Sequence, residues 1–380
     1  MSKFSDFLHG FSTKQTSLPP GIYTYHTSPD ASAQYRLHLR IDPDSKGTLI
    51  VNASSVLHLN QTGTEIAYEL IKGTPVDEIV NSIFEKFDAP KEVIDQDVRS
   101  FESKLQDLLK NTDQDPVSDF GFEPHQKMED LSAPYRLDCC LTLKEEISET
   151  STETAKGLEL DTKQWKQILQ KAYQAGIPQI IFTGGEPTQR PDLVELVQYT
   201  EELGLVLGLM SSGMSLDDET YLNTLIAGGL DHLIYPYNPA DNRQTLALEK
   251  ILPLDLYTCV ALEIKNDVGY ELVIDRLIAE GVNAFAIKPA YAEAHEFSHK
   301  VSDYVQSKGI KLITDIPLSQ KSLLALGETD TTSQPIKGED YIQLRLAPNG
   351  EVFPAFKREP GMGNLLNESW EDIWGRRILG

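Results

Sequence analysis

Five times between residues 176 and 310 the chain ends a helical stretch with a glycine, adds one apolar residue and enters a short apolar run. The pairs are Gly176-Ile177, Gly204-Leu205, Gly229-Leu230, Gly281-Val282 and Gly309-Ile310, at spacings of 28, 25, 52 and 28 residues. The interval of 52 holds two units, with residues 256–262 as the strand between them. Glycine stops a helix by taking the left-handed conformation, and strands that return in one direction need a helical crossover of this size. The expected fold is α/β. Parallel strands at 179–182, 206–210, 232–235, 256–262, 284–288 and 311–314 curl into a partial TIM-type (βα)6 barrel over residues 133–330. Trp165, Ile168, Leu169 and Ala172 form one buried helix face, and Ser215 with Asp218 makes an expected capping box.

The remainder of the chain has a different rhythm. Residues 1–33 are rich in Ser, Thr and Pro and read as an irregular leading segment. Strands are expected at 35–41, 48–51 and 56–59, then helices at 61–71, 75–87 (capped by Thr74) and 92–109. Together they make a small α+β domain over 34–110. Residues 111–132 form a linker, and residues 331–380 add a hairpin around Pro348-Asn349-Gly350 and a short helix at 367–374.

Charge and cysteine usage narrow the function. A net charge of −24 repels phosphate backbones and anionic lipid, so neither nucleic acid nor a membrane is an expected partner. No apolar run approaches the roughly 20 residues needed to span a bilayer. Met1 to Gly10 lacks a signal pattern, and a cytoplasmic location is expected. Cys139, Cys140 and Cys259 do not have the number or spacing of a disulfide framework or a zinc site.

The chemistry-bearing stretch is Ile180-Ile181-Phe182-Thr183-Gly184-Gly185-Glu186-Pro187-Thr188, followed by Arg190-Pro191-Asp192-Leu193. It reads as strand, tight turn and helix, and it sets a carboxylate at the carboxyl end of a parallel strand, where ligands bind in such sheets. This stretch resembles the radical SAM superfamily. The tail Pro348-Asn349-Gly350-Glu351-Val352-Phe353-Pro354, with Gly363-Asn364-Leu365 and Ser369-Trp370-Glu371-Asp372-Ile373-Trp374, is similar to the SPASM extension of its peptide-modifying members. Leu57-His58-Leu59-Asn60-Gln61-Thr62-Gly63, Ile71-Lys72-Gly73-Thr74-Pro75 and Asp97-Val98 resemble the PqqD-like, winged-helix peptide-recognition domain.

The resemblance implies roles residue by residue. Gly184, Gly185, Glu186 and Pro187, with Ser211 and Ser212 at the next strand end, would hold S-adenosylmethionine if it is still bound. Val56, Leu57, His58 and Leu59, facing Phe101 and Leu105, would take a peptide as an added strand. The three cysteines that hold a [4Fe–4S] cluster in the family fall here on Glu145, Glu149 and Thr152, and the tail cysteine is Ala355. Carboxylate and hydroxyl oxygen do not replace thiolate at iron, so the cluster is expected to be absent. The expected function is ribosomal-peptide maturation, with a precursor peptide and a cysteine-bearing radical SAM maturase as partners and the barrel as scaffold or chaperone, presenting Glu186, Ser212, Tyr237 and Lys288. The alternative is an enzyme: an active radical SAM-type catalyst, another S-adenosylmethionine-binding barrel, or a barrel using Glu186, Glu263, Lys265 or Lys288 as acid and base.

Overall fold

The computed structural model describes residues 18–27, 35–51, 55–110, 133–144, 159–213, 215–266, 268–313, 343–354 and 361–376. The chain divides into two compact units, Met1–Tyr135 with Ala172–Pro178, and Arg136–Lys171 with Gln179–Gly380.

In the first unit, β1 (Gly21–His26), β2 (Arg36–Ile41), β3 (Gly47–Val51) and β4 (Ser55–Leu59) form an antiparallel sheet in chain order. Helices α1 (Gln61–Ile71), α2 (Val76–Lys86) and α3 (Lys91–Lys110) complete it. Leu37, Leu39 and Ile41 on β2, and Leu57 and Leu59 on β4, share one face of the sheet and pack with Ile66, Ile79, Ile83, Val98, Phe101 and Leu105 in one core, while His38, Arg40 and His58 on the other face are also buried. Each fully buried side chain of this kind contributes about 1.5–3 kcal/mol. Two details differ from the sequence reading. Gly21–His26, placed there in an irregular segment, pairs along its whole length with β2, and Tyr23 and Tyr25 cover the core edge. Thr74 does not cap α2. Its hydroxyl donates to Glu69 Oε2 at 2.8 Å, and the cap position is Pro75. Pro75 has no N–H to satisfy and its fixed φ suits a helix start.

Arg40 is a fully buried charged side chain of this unit. Its Nε lies 3.2 Å from Asp42 Oδ1, and its Nη1 donates to the Ala133 and Pro134 carbonyls at 3.1 Å each. A buried guanidinium persists only when paired and hydrogen-bonded.

The second unit is organised by one ten-stranded sheet in the order β11-β10-β9-β8-β7-β6-β5-β12-β13-β14. Its strands β5 (Arg136–Thr142), β6 (Gln179–Gly184), β7 (Val206–Met210), β8 (His232–Tyr237), β9 (Tyr257–Ile264), β10 (Ala284–Pro289) and β11 (Lys311–Leu312) are all parallel to their neighbours. The crossovers are α4 (Thr162–Gln174), α5 (Leu193–Glu202), α6 (Glu219–Ala227), α7 (Asn242–Ile251), α8 (Tyr270–Ala279) and α9 (His295–Ser307). The strand inside the 52-residue interval is β9, where the glycine spacing puts it. The cap of α6 is Asp218 alone, which accepts from the amides of Thr220 and Tyr221. Ser215 takes no part in it.

The tail is not a separate appendage. β12 (Gln343–Leu346) lies parallel to β5, and β13 (Glu351–Pro354) and β14 (Gly363–Asn364) continue the same sheet before α10 (Trp370–Gly375). Lys171 on α4 fixes this tail by donating to the carbonyls of Leu365, Leu366 and Glu368 at 2.8, 3.1 and 2.9 Å. Expected structure in residues 111–132, 314–342 and 355–360 lies outside the described residues.

Helices cover one face of the sheet. The other, inner face carries Ile181, Met210, Ile234, Cys259, Ala284 and Ala286 in contact. At its base the His232 ring lies over Gly208, where an added Cβ would fall 2.2 Å from Nε2. That imidazole is buried and its Nδ1 has no hydrogen-bond partner among the described residues. Burial, with Arg136 alongside, pushes its pKa from 6.5 down to about 4 against the pull of Asp231. The ring therefore folds neutral, and the unfolded chain takes up a proton first as pH falls. The stability it contributes is complete above about pH 6.5 and decreases toward pH 4, by up to about 3 kcal/mol. Urea unfolding between pH 7 and 4.5 should show this slope in the native chain and a shallower one in His232→Leu.

Candidate functional site

The site predicted at the end of β6 is built by a close approach of backbone. Gly184 has φ +130°, and a Cβ there would sit 2.4 Å from the Thr142 carbonyl oxygen. Only glycine fits both conditions. The turn then pairs with the end of β5: Gly185 N–H donates to Thr142 O at 2.8 Å and Glu186 N–H to Lys144 O at 2.7 Å.

This geometry buries the Glu186 carboxylate, which is 2% exposed. Oε1 accepts from Thr188 N (3.1 Å), Thr188 Oγ1 (2.6 Å) and Ser211 Oγ (2.8 Å). Oε2 accepts from Ser212 N (2.9 Å) and Ser212 Oγ (2.8 Å). A carboxylate offers about four lone-pair sites, and five donors already use them. Glu186, Ser211 and Ser212 thus come together as the sequence suggested, but they satisfy each other. Arg190 and Asp192 of the same motif are committed as well. Arg190 grips Asp192 through Nε and Nη2 at 2.9 and 2.7 Å and donates to the Leu141 carbonyl at 2.9 Å. Burial alone would raise the Asp192 pKa. The bonds from Arg190 and from Thr162 outweigh it and hold the carboxyl below its ordinary value. At the flank of the loop that follows β5, Glu159 Oε1 accepts from Thr142 Oγ1 and Leu143 N at 2.8 and 2.7 Å.

A second group of polar residues lines the inner face. Arg136 holds Asp138 through Nε and Nη2 at 2.7 and 3.2 Å and donates to Gln343 Oε1 at 2.8 Å. Lys288 on β10 is in register with Glu263 on β9. Burial pushes its pKa down to about 8, Glu263 and Asp138 pull it up, and Arg136 pushes it further down. Sequence reasoning missed Arg136, Asp138 and His232, because a charged residue at the start of a strand looks like a solvated end until packing buries it. Lys265 and Glu263 are exposed. Tyr237 is on the opposite face, where its hydroxyl meets Thr245 and Arg276, so it does not line the inner face with Lys288.

The expected peptide-binding side chains occupy the first unit's core. Leu57, Leu59, Phe101 and Leu105 are buried there, and His58 is buried with Nδ1 3.4 Å from the Tyr135 hydroxyl. Val56 lies in β4, with its side chain outside the described residues. Glu145, Glu149, Thr152 and Ala355 also lie outside them. Cys139, Cys140 and Cys259 are buried. Burial pushes the Cys140 thiol up to about 12 and holds Cys139 well above its usual value. Among the described residues no group of three or more His, Cys, Asp or Glu is placed to hold a metal ion, and no helix is long and apolar enough to cross a membrane. A cavity of about 660 Å³ lies on the helical face, between α4, α5 and Leu366, and not at the strand ends.

Residues 42–108 match the family described as Coenzyme PQQ synthesis protein D (PqqD), and this segment is a PqqD domain. The PqqA peptide cyclase of Gluconobacter oxydans is 47% identical over 78 residues, covering 20% of this chain and 22% of that protein. The PqqA peptide cyclase of Xanthomonas oryzae pv. oryzae is 43% identical over 250 residues, covering 57% of this chain and 66% of that protein. In fold the chain is similar to SuiB of Streptococcus suis. The SuiB structure bound to S-adenosylmethionine has a TM-score of 0.56 at 14% identity, covering 92% of this chain and 88% of that one. The structure bound to the precursor peptide SuiA has a TM-score of 0.54 at 15% identity, covering 88% and 86%.

Glu186→Gln keeps the shape of the side chain but turns an NH2 toward donors that need an acceptor. Loss of charge-assisted bonds at a buried site should lower stability by about 3 kcal/mol. The urea midpoint checks this. An unchanged midpoint would remove the carboxylate from its role in joining the strand ends.

Proposed function

We propose that this chain, with a PqqD domain at residues 42–108, is a ribosomal-peptide maturation protein that captures a precursor peptide along β4. In this reading its second unit, a partial radical SAM-type barrel with a SPASM-like tail, serves as scaffold or chaperone without a [4Fe–4S] cluster. A cysteine-bearing radical SAM maturase is the second partner. The observation that carries the proposal is the sheet order of the first unit. β4 pairs with β3 on one side only and is an edge strand among the described residues. Its outer row of N–H and C=O groups is what an incoming strand requires. Because Leu57 and Leu59 are spent on the core, recognition rests chiefly on the β4 backbone.

The donor chemistry supports the absence of the cluster. A [4Fe–4S] centre needs three thiolates around one opening, and this chain has three cysteines, two adjacent on β5 and one on β9, all buried. If S-adenosylmethionine is bound at the Gly184-Gly185-Glu186 turn, the Glu186 carboxylate is not its acceptor, since five donors already occupy it. No step is assigned to either group.

Two measurements test the reading. A precursor peptide encoded beside this chain should bind the full-length protein, and N-methylating alternate residues of its bound segment should weaken binding by at least about tenfold, the value of one to two lost hydrogen bonds. Retained affinity would exclude strand addition. After anaerobic treatment with iron and sulfide, the protein should hold no stoichiometric iron and release no 5′-deoxyadenosine. A brown, iron-loaded product would overturn the scaffold role.

A further inference from the structure

Helix α4 carries three lysines, four glutamines and no carboxylate over Thr162–Gln174, in a chain with 58 acidic and 34 basic residues. Trp165, Ile168, Leu169 and Ala172 turn its apolar side to the core. Lys163, Lys166, Gln167, Gln170 and Lys171 therefore share the other side at helical spacing. That side is one wall of the cavity of about 660 Å³, and α5 supplies the other through Glu195 and Tyr199. The walls are tied together. Lys166 Nζ reaches Glu195 Oε1 at 2.7 Å and stands 5.0 Å from the centre of the Tyr199 ring, while the Tyr199 hydroxyl donates to Gln170 Oε1 at 3.2 Å. Lys171 bounds the groove beside Leu366 and gives its three donors to the neutral carbonyls of Leu365, Leu366 and Glu368. Among the described residues no carboxylate pairs with Lys171, and no hydrogen bond or ion pair reaches Lys163 or Gln167. Three ammonium groups thus face one lining carboxylate, a local excess of two positive charges in a protein of net charge −24.

We propose that the groove between α4 and α5 docks an acidic helix of a partner protein, with Lys163 and Lys166 as the cations that meet its carboxylates. Charge complementarity selects the sign of the occupant, and spacing selects its form. Lys163 and Gln167 are four residues apart, about 6 Å along α4, and carboxylates at i and i+4 of a helix laid along it stand at the same interval. The free Lys163 ammonium and Gln167 amide take one carboxylate each. Lys166 lies between them, and Glu195 occupies one of its three donors, which leaves two for the partner. Leu366 and the Tyr199 ring offer apolar surface to the methylene stems of the incoming glutamates. Because the walls are already tied, docking orders few side chains. Exposed charges farther than about 8 Å are largely screened at physiological salt, so the local excess governs the encounter and not the net charge of the chain. The site does not depend on peptide capture at β4 or on any cofactor.

Carbodiimide cross-linking of the full-length protein to a synthetic peptide, read residue by residue by mass spectrometry, tests the site. The probe is a capped, alanine-based helix of about 20 residues with glutamates paired at i and i+4. A second peptide of the same composition sets the pairs at i and i+2, which face different sides of a helix. Exposed Lys72 and Lys300 serve as references. The first probe should link to Lys163 about fivefold or more above the references, and this excess should vanish in about 0.5 M NaCl. Lys166→Gln should reduce the Lys163 link by at least about threefold, and Glu195→Gln, which removes the opposing carboxylate, should increase it. Even linking of Lys163, Lys72 and Lys300, equal linking by the second peptide, or no response to Lys166→Gln would each overturn the proposal. Lys163→Glu should leave precursor-peptide affinity at β4 unchanged, so loss of peptide binding in the native chain counts against strand addition and not against this groove.

Discussion

The buried Glu186 carboxylate is the interaction on which the geometry of the strand ends depends. A charge this far from water must find donors within reach. Here they come from its own turn, through Thr188, and from the end of β7, through Ser211 and Ser212. Together with the Gly185 and Glu186 amides bonded to the end of β5, the carboxylate locks three successive strand ends into one register. Arg190 adds a fourth tie to the Leu141 carbonyl. The hydrogen-bonding capacity of this carboxylate is used within the chain.

The second unit therefore holds two kinds of buried polar group. The satisfied kind, Glu186 with its hydroxyls and Arg136 with Asp138 and Gln343, gives rigidity, because breaking one member leaves the others unpaired. The His232 imidazole over Gly208 is of the other kind: it is buried, and its Nδ1 has no hydrogen-bond partner among the described residues.

The first unit divides its residues differently. Its apolar alternation is consumed by the core, so Leu57, Leu59, Phe101 and Leu105 shape the sheet and helices. β1 and β4 are the two outer strands of this sheet, each paired on one side only among the described residues.

The sequence by itself determined the order of elements, because glycine stops and apolar periodicity act locally: each Gly–apolar pair marks a helix end whatever lies across the sheet. It also determined that Gly184 and Glu186 belong to one strand-end turn. Tertiary structure alone decided what Glu186 does, since its donors Ser211 and Ser212 lie 25 and 26 residues away. It also decided that the tail strand β12 joins β5, 207 residues apart at the Arg136–Gln343 bond. The burial of His232 was equally hidden, because the space for its ring comes from Gly208 on the neighbouring strand. Such contacts depend on where distant segments meet, a property of the packed chain that no local pattern of residues records.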